Sequence, residues 1–512
     1  MTQHDVLIVG AGPTGLVLAL WLTKQGVSVR IVDRAAGPGT TSRAMAVQAR
    51  TLELYRQLGM ADEVAAAGRP NPAINLWVRG DRKARLSFGD AGEKVTPYPF
   101  LLIYPQDQHE RLLISRLEQL GVTVERETEL AGLEDRGDHV VGRLRSSGGF
   151  EESCTARYVA GCDGARSPVR HLIGSGFDGG TYDKTFYVAD VEARGAAADG
   201  EGHIALDQAD FVVVLGYGAA GQARLIGTVR DERPDGTATA LRFEDVGHRA
   251  LDRLGLEVTR VHWFSTYRVH HRVTDRYRRG NVFLLGDAAH VHSPAGGQGM
   301  NTGIGDAVNL AWKLEAVLRG RAPDALLDSY QTERRAFAER LVDTTDRAFT
   351  LATAQGTLAD FVRTRLVPLV VPAASRIDAV RETAFRVLSQ TMIHYRESPL
   401  SAGEAGEVRG GDRLPWVRTS SSDNYDSLAA IAWQAHAYGT VPEDVERWCA
   451  DHGVPLHRFG WDEAHGRAGF ARDALYLLRP DTYVGLALPR PGAMALDAYA
   501  AERGLKLGPL AR

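Results

Sequence analysis

Cysteine is scarce in this sequence of 512 residues, in which Cys154, Cys162 and Cys449 are the three present. No C-x-x-C pair occurs, and an odd, sparse set of cysteines in a long chain argues against a disulfide framework. This usage is typical of proteins from a reducing compartment, so we expect a cytoplasmic protein. The sequence predicts no metal site.

A surplus of charge of one sign is missing as well, because 60 basic and 64 acidic residues leave a formal net charge of -4. This near balance argues against a nucleic acid as a partner and against strong binding to a membrane surface. Hydrophobic residues make up 44% of the chain and charged residues 24%, as in ordinary globular proteins. The length predicts two or three domains.

A long hydrophobic run is also missing, because the uncharged stretch of residues 6–23 is interrupted by three glycines and by Pro13. Asp5 precedes this stretch, where a signal peptide would carry basic residues. We therefore expect neither a membrane span nor a signal peptide.

The same stretch contains the pattern of a βαβ unit. Residues 6–9 are a short apolar run typical of a buried strand, and residues 10–15 are a G-x-G-x-x-G turn. Residues 16–25 predict a helix that ends at Gly26, and residues 27–32 predict a second strand. In such a unit Gly10 makes the tight turn, Gly12 lets the backbone approach a pyrophosphate, and Gly15 lets helix and strand pack closely. The amino end of the helix attracts the same pyrophosphate.

The second strand ends at Asp33, whose carboxylate can accept both hydroxyls of an adenosine ribose. An acid there favours FAD or NAD over NADP. A lone G-x-G-x-x-G turn is weak evidence, but strand, helix, second strand and acid all follow in the expected order here. Arg43, which ends the next loop, could hold a phosphate, although a surface arginine is the commoner interpretation of such a residue.

Two further strands end in a polar turn. Residues 158–170 predict an apolar strand, then Asp163 and Gly164, and then a helix start at Ser167. Residues 281–290 predict a buried strand that ends in Gly-Asp at residues 286–287. A glycine-rich loop follows, and a long helix starts at Met300 or Asn301. An acid, a glycine loop and a helix start form a suitable cradle for a polar ring that gains negative charge.

The remaining chain predicts additional sheets. Residues 44–58 are predicted to be helical, residues 74–78 and 84–88 to be strands, residues 122–124 to be a strand, and residues 125–157 to form a β-meander. Between residues 182 and 273 several strands follow one another without long helices, which predicts an antiparallel sheet suited to an aromatic substrate. Residues 324–397 are predicted to be mostly helical and residues 401–411 to be a linker. The tail contains two strands, at residues 474–478 and 483–488, and a helix at residues 493–503.

Taken together, the three motifs resemble those of the class A flavoprotein monooxygenases, the aromatic hydroxylases that include p-hydroxybenzoate hydroxylase and phenol hydroxylase. The motifs are G-x-G-x-x-G at residues 10–15, CDGARSPVR at 162–170, and GDAAH at 286–290 continuing as PAGGQGMNTG at 294–303. The resemblance spans about residues 1–345. The tail is similar to the thioredoxin-like module of the phenol hydroxylase and polyketide hydroxylase branch, although it lacks C-x-x-C.

This resemblance implies an α/β fold in which a Rossmann-like FAD-binding domain of the glutathione-reductase type carries an inserted antiparallel-sheet substrate domain and a C-terminal thioredoxin-like α/β module. The implied boundaries are residues 1–180 and 276–400 for the two parts of the FAD-binding domain, 181–275 for the substrate domain and 401–512 for the module. A homodimer is possible.

The resemblance also implies FAD as cofactor, NAD(P)H as co-substrate, and hydroxylation of a phenolic or polycyclic substrate with O2 through a C4a-hydroperoxyflavin. Asp163 would serve FAD and the pyridine nucleotide, with Arg166 as its electrostatic support, and Asp287 would bond the ribityl chain. The predicted cofactor-binding residues are Gly10, Gly12, Pro13, Thr14, Gly15, Asp33, Arg34, Arg43, Gln106, Asp163, Arg166, Asp287, Pro294, Gly297, Gly299, Met300 and Asn301.

No catalytic base can be assigned from the sequence. The candidates Tyr217, Tyr267 and His270 lie on predicted strands of the substrate sheet, but each is more often a packing or surface residue. Gln48, on the predicted first helix, is a candidate for a substrate contact, with the same commoner interpretation. Three other functions stay open: a halogenase, a reductase of the same fold, or a non-catalytic FAD-binding redox sensor. The W-x-W-x-I-P motif of flavin halogenases is absent from the sequence.

Overall fold

The computed structural model describes residues 3–39, 44–206, 211–218, 221–229, 241–246, 249–292, 297–353, 371 and 377–508. Within these residues the chain forms three large sheets and one small sheet. Two residues of the predicted cofactor site, Arg43 and Pro294, lie outside the described residues.

Thirteen α-helices lie within the described residues. They are α1 Pro13–Lys24, α2 Ala49–Gln57, α3 Ala61–Ala67, α4 Phe88–Gly92, α5 Gln106–Gln119, α6 Pro168–Leu172, α7 Arg249–Arg253, α8 Gly299–Leu318, α9 Asp328–Thr353, α10 Asp378–Leu388, α11 Glu443–Asp451, α12 Glu463–Arg467 and α13 Ala493–Glu502.

The first sheet is built on four parallel strands in the order β17, β10, β1, β2. These are β1 Gln3–Val9, β2 Val29–Val32, β10 Glu151–Gly161 and β17 Val282–Leu284. The side chains of residues 6–9 are 0–6% exposed, as expected for a continuous apolar run that is covered on both faces of a parallel sheet. Helix α1 connects β1 to β2, so the predicted βαβ unit is formed.

Three antiparallel strands extend this sheet. They are β8 Thr128–Asp135 and β9 Val140–Ser146, which continue from β10, and β16 Arg278–Arg279, which pairs with β17. The predicted meander of residues 125–157 therefore corresponds to β8, β9 and most of β10.

The second sheet has eight strands in the order β18, β15, β11, β14, β13, β12, β5, β6. Their bounds are β5 Ala73–Val78, β6 Asp81–Ser87, β11 Phe177–Gly195, β12 Gly202–Leu206, β13 Phe211–Gly216, β14 Gln222–Thr228, β15 Leu256–Thr274 and β18 His290–Val291. All neighbours are antiparallel except β12 and β5. The sheet thus takes in a hairpin from residues 73–87, far from the range 181–275 that the sequence suggests.

The third sheet lies in the tail and has six strands in the order β20, β19, β24, β23, β21, β22. Their bounds are β19 Ala402–Ala405, β20 Val408–Arg409, β21 Gln434–Tyr438, β22 Leu456–Phe459, β23 Ala474–Leu478 and β24 Val484–Leu488. The small sheet joins β3 Ala46–Val47, β7 Leu101–Ile103 and β4 Arg69–Asn71.

Three sequence-based predictions are wrong in detail. Residues 401–411 are not a linker, because β19 and β20 pair there as a hairpin. Gly410 permits a close approach of the two strands, since a Cβ on it would lie 2.2 Å from the Ala402 nitrogen. Residues 44–58 begin with strand β3, and α2 starts only at Ala49. Residues 122–124 form no strand, and the single bridge there joins Val32 to Glu125.

Candidate active site

The three sequence motifs meet at the carboxyl ends of β1, β10 and β17. Gly10 has φ +106°, and a Cβ there would lie 2.3 Å from the carbonyl oxygen of Cys162. A Cβ on Gly15 would lie 2.0 Å from the carbonyl oxygen of Gly10, and one on Gly286 would lie 2.7 Å from Thr14 Oγ1. Side chains at Gly10 or Gly286 would therefore drive two motifs apart, and a side chain at Gly15 would distort the turn itself.

Gly12 differs from its neighbours in the turn. Among the described residues, no neighbouring atom lies within 4 Å of a Cβ built on Gly12, so this glycine is not required for packing and leaves open space beside the turn. Pro13 is the first residue of α1, and no acidic residue lies in the first turn. The open side of Gly12 and the positive end of α1 fit the pyrophosphate of a dinucleotide.

Asp33 follows β2 at the same edge. Its carboxylate accepts hydrogen bonds from the backbone amides of Ala11, at 2.6 Å, and of Ala35, at 2.8 Å. The sequence analysis missed Arg126, whose guanidinium lies 3.9 Å from this carboxylate and has a buried nitrogen without a partner in the described part of the chain. Nothing in the sequence distinguishes Arg126 from other arginines. Arg34 is exposed.

Ser167 is the N-cap of α6, and Asp163 adds a contact to the first turn, because its Oδ2 accepts the Val169 amide at 2.9 Å. Burial raises its pKa, and its Oδ1 is buried without a hydrogen bond to any residue that the structure describes. Its nearby cation is Arg170, which is buried and donates to the carbonyls of Ala165 and Ala288. Arg166, the predicted electrostatic support of Asp163, is exposed and forms no ion pair among the described residues, so its role stays a prediction.

Gln106 lies at the start of α5, where its Oε1 accepts the Ala44 amide at 3.2 Å and its Nε2 donates to Glu110 at 2.8 Å. Burial raises the pKa of Glu110. Gln106 thus anchors the chain directly after the predicted phosphate-binding residue 43.

Asp287 is exposed in the turn after β17, and a buried acid lies behind it. Asp306 of α8 accepts the Gly286 amide at 2.9 Å, His290 Nε2 at 2.7 Å and Arg334 Nε at 2.6 Å. Burial alone would raise the pKa of Asp306, but Arg334 and His290 outweigh it and hold the pKa below its usual range. The sequence analysis did not find this anchor, which holds the Gly-Asp turn in place.

The loop after this turn leads into α8, which starts at Gly299, close to the predicted position. Gly297 has φ +62°, and a Cβ there would lie 2.6 Å from the Ala46 side chain. The buried Asn301 donates to the carbonyls of Ala46 and Gly297 and accepts from the Gln48 amide at 2.9 Å. Asn301 therefore ties the loop to the segment that enters α2. Met300 and Gly299 are half-buried, and the first turn of α8 has no acidic residue.

The second sheet turns one face toward this segment. Along β13, Val212 and Val214 are buried in the cluster on the far face, whereas Val213 and Tyr217 are half-buried and pack with Met45. The near face therefore packs against Met45, and the next residue, Ala46, contacts Gly297 and Asn301.

A polar group interrupts this near face. Arg224 donates through Nε and Nη2 to the two carboxylate oxygens of Asp190, at 2.8 and 2.7 Å. The Tyr217 hydroxyl is hydrogen-bonded to the same carboxylate. Burial raises the pKa of Tyr217 to about 12, and Asp190 contributes, so Tyr217 is a hydrogen-bonding group and not a base at neutral pH.

Tyr267 and His270 are the other candidates for a base, and Gln48 is a candidate for a substrate contact. Tyr267 packs on Phe186, with ring centroids 6.0 Å apart. His270 is exposed and shares a hydrogen bond with Thr181 at 2.7 Å. Gln48 is buried beside Gly297. No catalytic base is identified.

The residues fit FAD. The space at Gly12, the unpartnered Asp163 Oδ1 and the amino ends of α1 and α8 lie around one edge of the parallel sheet, as a long dinucleotide requires. Among the described residues no group of His, Cys, Asp and Glu side chains could hold a metal ion, and no helix is long and apolar enough to cross a membrane.

Comparison with known proteins identifies the family of this chain. Residues 3–345 match the model of the FAD binding domain family. The chain is 38% identical to the 6-methylpretetramide 4-monooxygenase of Streptomyces rimosus over 415 residues, which are 79% of this chain and 72% of that protein. It is 32% identical to a flavin-dependent monooxygenase of Mycobacteroides abscessus over 505 residues, which are 94% of this chain and 96% of that protein.

The structure of the anhydrotetracycline hydroxylase of Streptomyces rimosus superposes with a TM-score of 0.78 at 27% identity, covering 100% of both chains. The family match spans more than half of the chain and includes all three motifs. The chain therefore belongs to the FAD binding domain family and is a flavoprotein monooxygenase of the aromatic hydroxylase group.

Proposed function

We propose that this chain hydroxylates a phenolic ring, carried by a single-ring or polycyclic polyketide-like substrate, with FAD, NAD(P)H and O2. The observation that carries the proposal is the meeting of three motifs beside a half-buried sheet face on which Tyr217 lies. Bound FAD supplies hydride transfer from NAD(P)H and the activation of O2. The balanced reaction is ArH + O2 + NAD(P)H + H+ → ArOH + H2O + NAD(P)+.

The residues have separate tasks in this proposal. Gly12 and the amino end of α1 bind the pyrophosphate, Asp33 binds the adenosine ribose, and Asp287 bonds the ribityl chain. Residues 297–301 frame the ring. The amino end of α8 stabilises negative charge that develops there. Arg166 and Asp163 serve the pyridine nucleotide.

The near face of the second sheet forms the opposite wall of the substrate site. Its aliphatic side chains exclude water from the ring, and Tyr217 offers a polar contact to a phenolic hydroxyl. Asp190 and Arg224 orient the Tyr217 hydroxyl and leave its oxygen able to accept a hydrogen bond.

We propose the finer architecture together with this function. Residues 1–180 and 276–400 form an FAD-binding domain of the glutathione-reductase type, residues 181–275 an inserted substrate domain, and residues 401–512 a thioredoxin-like module. The protein acts in the cytoplasm and forms a homodimer.

The test is aerobic oxidation of NADPH and of NADH by the purified FAD-loaded protein, with and without single-ring phenols, naphthols and anhydrotetracycline. We expect at least one phenol to accelerate oxidation and to gain one oxygen atom, seen as a mass increase of one oxygen in the product. Its O-methyl ether should be a poorer substrate.

Other outcomes separate the competing functions. Substrate reduction without O2 indicates a reductase, and halide incorporation indicates a halogenase. A bound flavin that neither NADPH nor NADH reduces under anaerobic conditions indicates a redox sensor. Each of these results contradicts the proposal.

A further inference from the structure

Gln390, in the turn after α10, has an unusual backbone. Its φ is +60°, in the left-handed region, and its side chain is 4% exposed. This conformation is unfavourable for a residue with a Cβ and persists only where surrounding contacts hold it. Gln390 is therefore a place at which the fold stores strain.

The side-chain amide of Gln390 reaches the start of α8. Its Nε2 lies 2.5 Å from Gln298 Oε1 and 3.1 Å from Thr302 Oγ1. The contact is reciprocal, because Gln298 Nε2 donates to the Leu388 carbonyl at 3.2 Å. The segment after α10 therefore contacts the start of α8 through the Gln390 side chain and through the Leu388 carbonyl.

The same turn also holds the start of α2. The Arg50 amide donates to the Ser389 carbonyl at 3.1 Å, and Arg50 Nη2 donates to Thr482 Oγ1 at 2.7 Å. Thr482 is a second residue in the left-handed region, with φ +69°. One residue in the left-handed region, Gln390, therefore contacts the start of α8, and another, Thr482, contacts the first turn of α2.

A small cavity lies beside these contacts. It measures about 20 Å³ and is lined by Arg50, Asn301, Arg334, Gln390 and Tyr395, among others. This volume is enough for a water molecule, which polar partners on several sides would hold. Asn301 and Gln390 thus line the same cavity.

We propose that Gln390 is a positioning residue for the flavin-ring end of the cofactor. It holds the first turn of α8 from behind, so that residues 297–301 present their backbone amides in one geometry. The proposal rests on the proposed placement of the flavin ring at this turn. It makes a residue beyond the matched range of 3–345 part of the cofactor site.

The experiment compares FAD with ADP as ligands of the apoprotein by titration calorimetry, because ADP lacks the flavin ring and binds only at the Gly12 and Asp33 end. Gln390→Gly removes the hydrogen bonds of the amide, which lowers stability, and relieves the backbone strain, which raises it, so thermal unfolding of the variant is measured beside the titrations. We expect its Kd for FAD to rise about tenfold, which is about 1.4 kcal/mol. Its Kd for ADP should stay within about twofold, and the absorption band of bound flavin should shift.

The matched control is Glu127→Gly, which relieves left-handed strain at an exposed residue with φ +52°. Its Kd for both ligands should stay unchanged. Equal weakening of FAD and ADP by Gln390→Gly would mean a general loss of structure and would overturn the proposal. An unchanged Kd for FAD would also overturn it.

Asn301→Ala separates this failure from a failure of the ring placement. If Asn301→Ala weakens FAD but Gln390→Gly does not, the flavin ring lies at α8 and Gln390 has no positioning role. If neither variant weakens FAD, the ring lies elsewhere, and both the placement and the role of Gln390 are rejected.

Discussion

Single residues of the same type divide into those at the surface of the site and those behind it. Asp287 is exposed in its turn, whereas Asp306 is buried beneath it and accepts the Gly286 amide. Arg166 is exposed, whereas Arg170 is buried and bonded to backbone carbonyls. The exposed member of each pair is available to a ligand, and the buried member supports the backbone.

Asp287→Ala should therefore reduce FAD binding without unfolding the protein, because its carboxylate is proposed to bond the ribityl chain while Asp306 still holds the turn. We expect the Kd for FAD to rise at least about tenfold, the usual loss for a charge-assisted hydrogen bond. The measurement is FAD content after purification and titration of the apoprotein. Asp138→Ala, at an exposed position on the β8–β9 hairpin, is the control, and full FAD occupancy in Asp287→Ala would contradict the role.

Arg166→Ala should slow reduction of the bound flavin by NADPH or NADH about tenfold, because one cationic contact with the pyridine nucleotide is removed. FAD content and thermal stability should not change, since the side chain is exposed. Anaerobic stopped-flow reduction measures the rate. Arg145→Ala, at another exposed arginine, should leave it unaltered, and the same rate in both variants would reject the assignment.

Two glycines of the G-x-G-x-x-G motif have different structural roles. In one turn, Gly15 serves packing, with a virtual Cβ 2.0 Å from the Gly10 carbonyl oxygen, whereas Gly12 faces open space. The motif already predicts packing for Gly15 and approach of a pyrophosphate for Gly12, and the backbone geometry adds the distances on which the two predictions below rest.

Gly15→Ala should destabilise the apoprotein by at least about 1–3 kcal/mol, because backbone atoms must move to admit the methyl group. Gly12→Ala should leave the unfolding midpoint of the apoprotein unchanged and weaken FAD binding, because its methyl group occupies the pyrophosphate side of the turn. Thermal unfolding of the apoprotein and FAD titration measure the two effects. A variant pair that loses stability equally would contradict this division.

Most elements were predictable from local pattern, and the failures have physical causes. The buried run of residues 6–9, the glycine turn and α1 follow from periodicity and composition. The glycines of the hairpin β19–β20 are typical of a flexible linker and also of strands whose backbones approach closely. The position of Ala402 beside Gly410 shows that close approach is the reason here, and this position is known only from the structure. The parallel pairing of β12 with β5 joins segments about 130 residues apart, which local pattern does not specify.

Buried ion pairs join the tail, residues 401–508, to helices α2 and α9 of the preceding chain. Glu333 of α9 accepts from Lys313 at 2.8 Å and from both terminal nitrogens of Arg479 at 2.7 and 2.9 Å, and all three side chains are fully buried. Glu53 of α2 likewise pairs with Arg413. Burial opposes ionisation of Glu333, but the two cations outweigh it and hold its pKa well below the usual range.

Glu333→Gln should destabilise the protein by about 3–5 kcal/mol, because Lys313 would lose its buried ion-pair partner and Arg479 would keep only Asp481. A carboxyl with a folded pKa below its unfolded value of about 4.3 stabilises the fold above that pH and loses this contribution as pH falls below it. The natural protein should therefore lose stability below about pH 4.3, and Glu333→Gln should lose less. Thermal unfolding between pH 3 and 7 measures both.

Glu129→Gln is the control, because it breaks an ion pair with Arg145 that is about half exposed. Its stability should change by less than about 0.5–1 kcal/mol. If the two substitutions changed the free energy of unfolding equally, the buried ion pairs of Glu333 would not stabilise the contact between the tail and α9.

The sequence by itself determined the parallel nucleotide-binding unit, the family and the positions of the three motifs, because these depend on glycine geometry and apolar periodicity within short segments. Only the tertiary structure decided that Arg170 lies near Asp163, that Asp306 lies behind the Gly-Asp turn, and that Gln390 grips α8. These contacts join residues that are distant in sequence, and buried hydrogen bonds between them depend on distances and orientations that only packing sets.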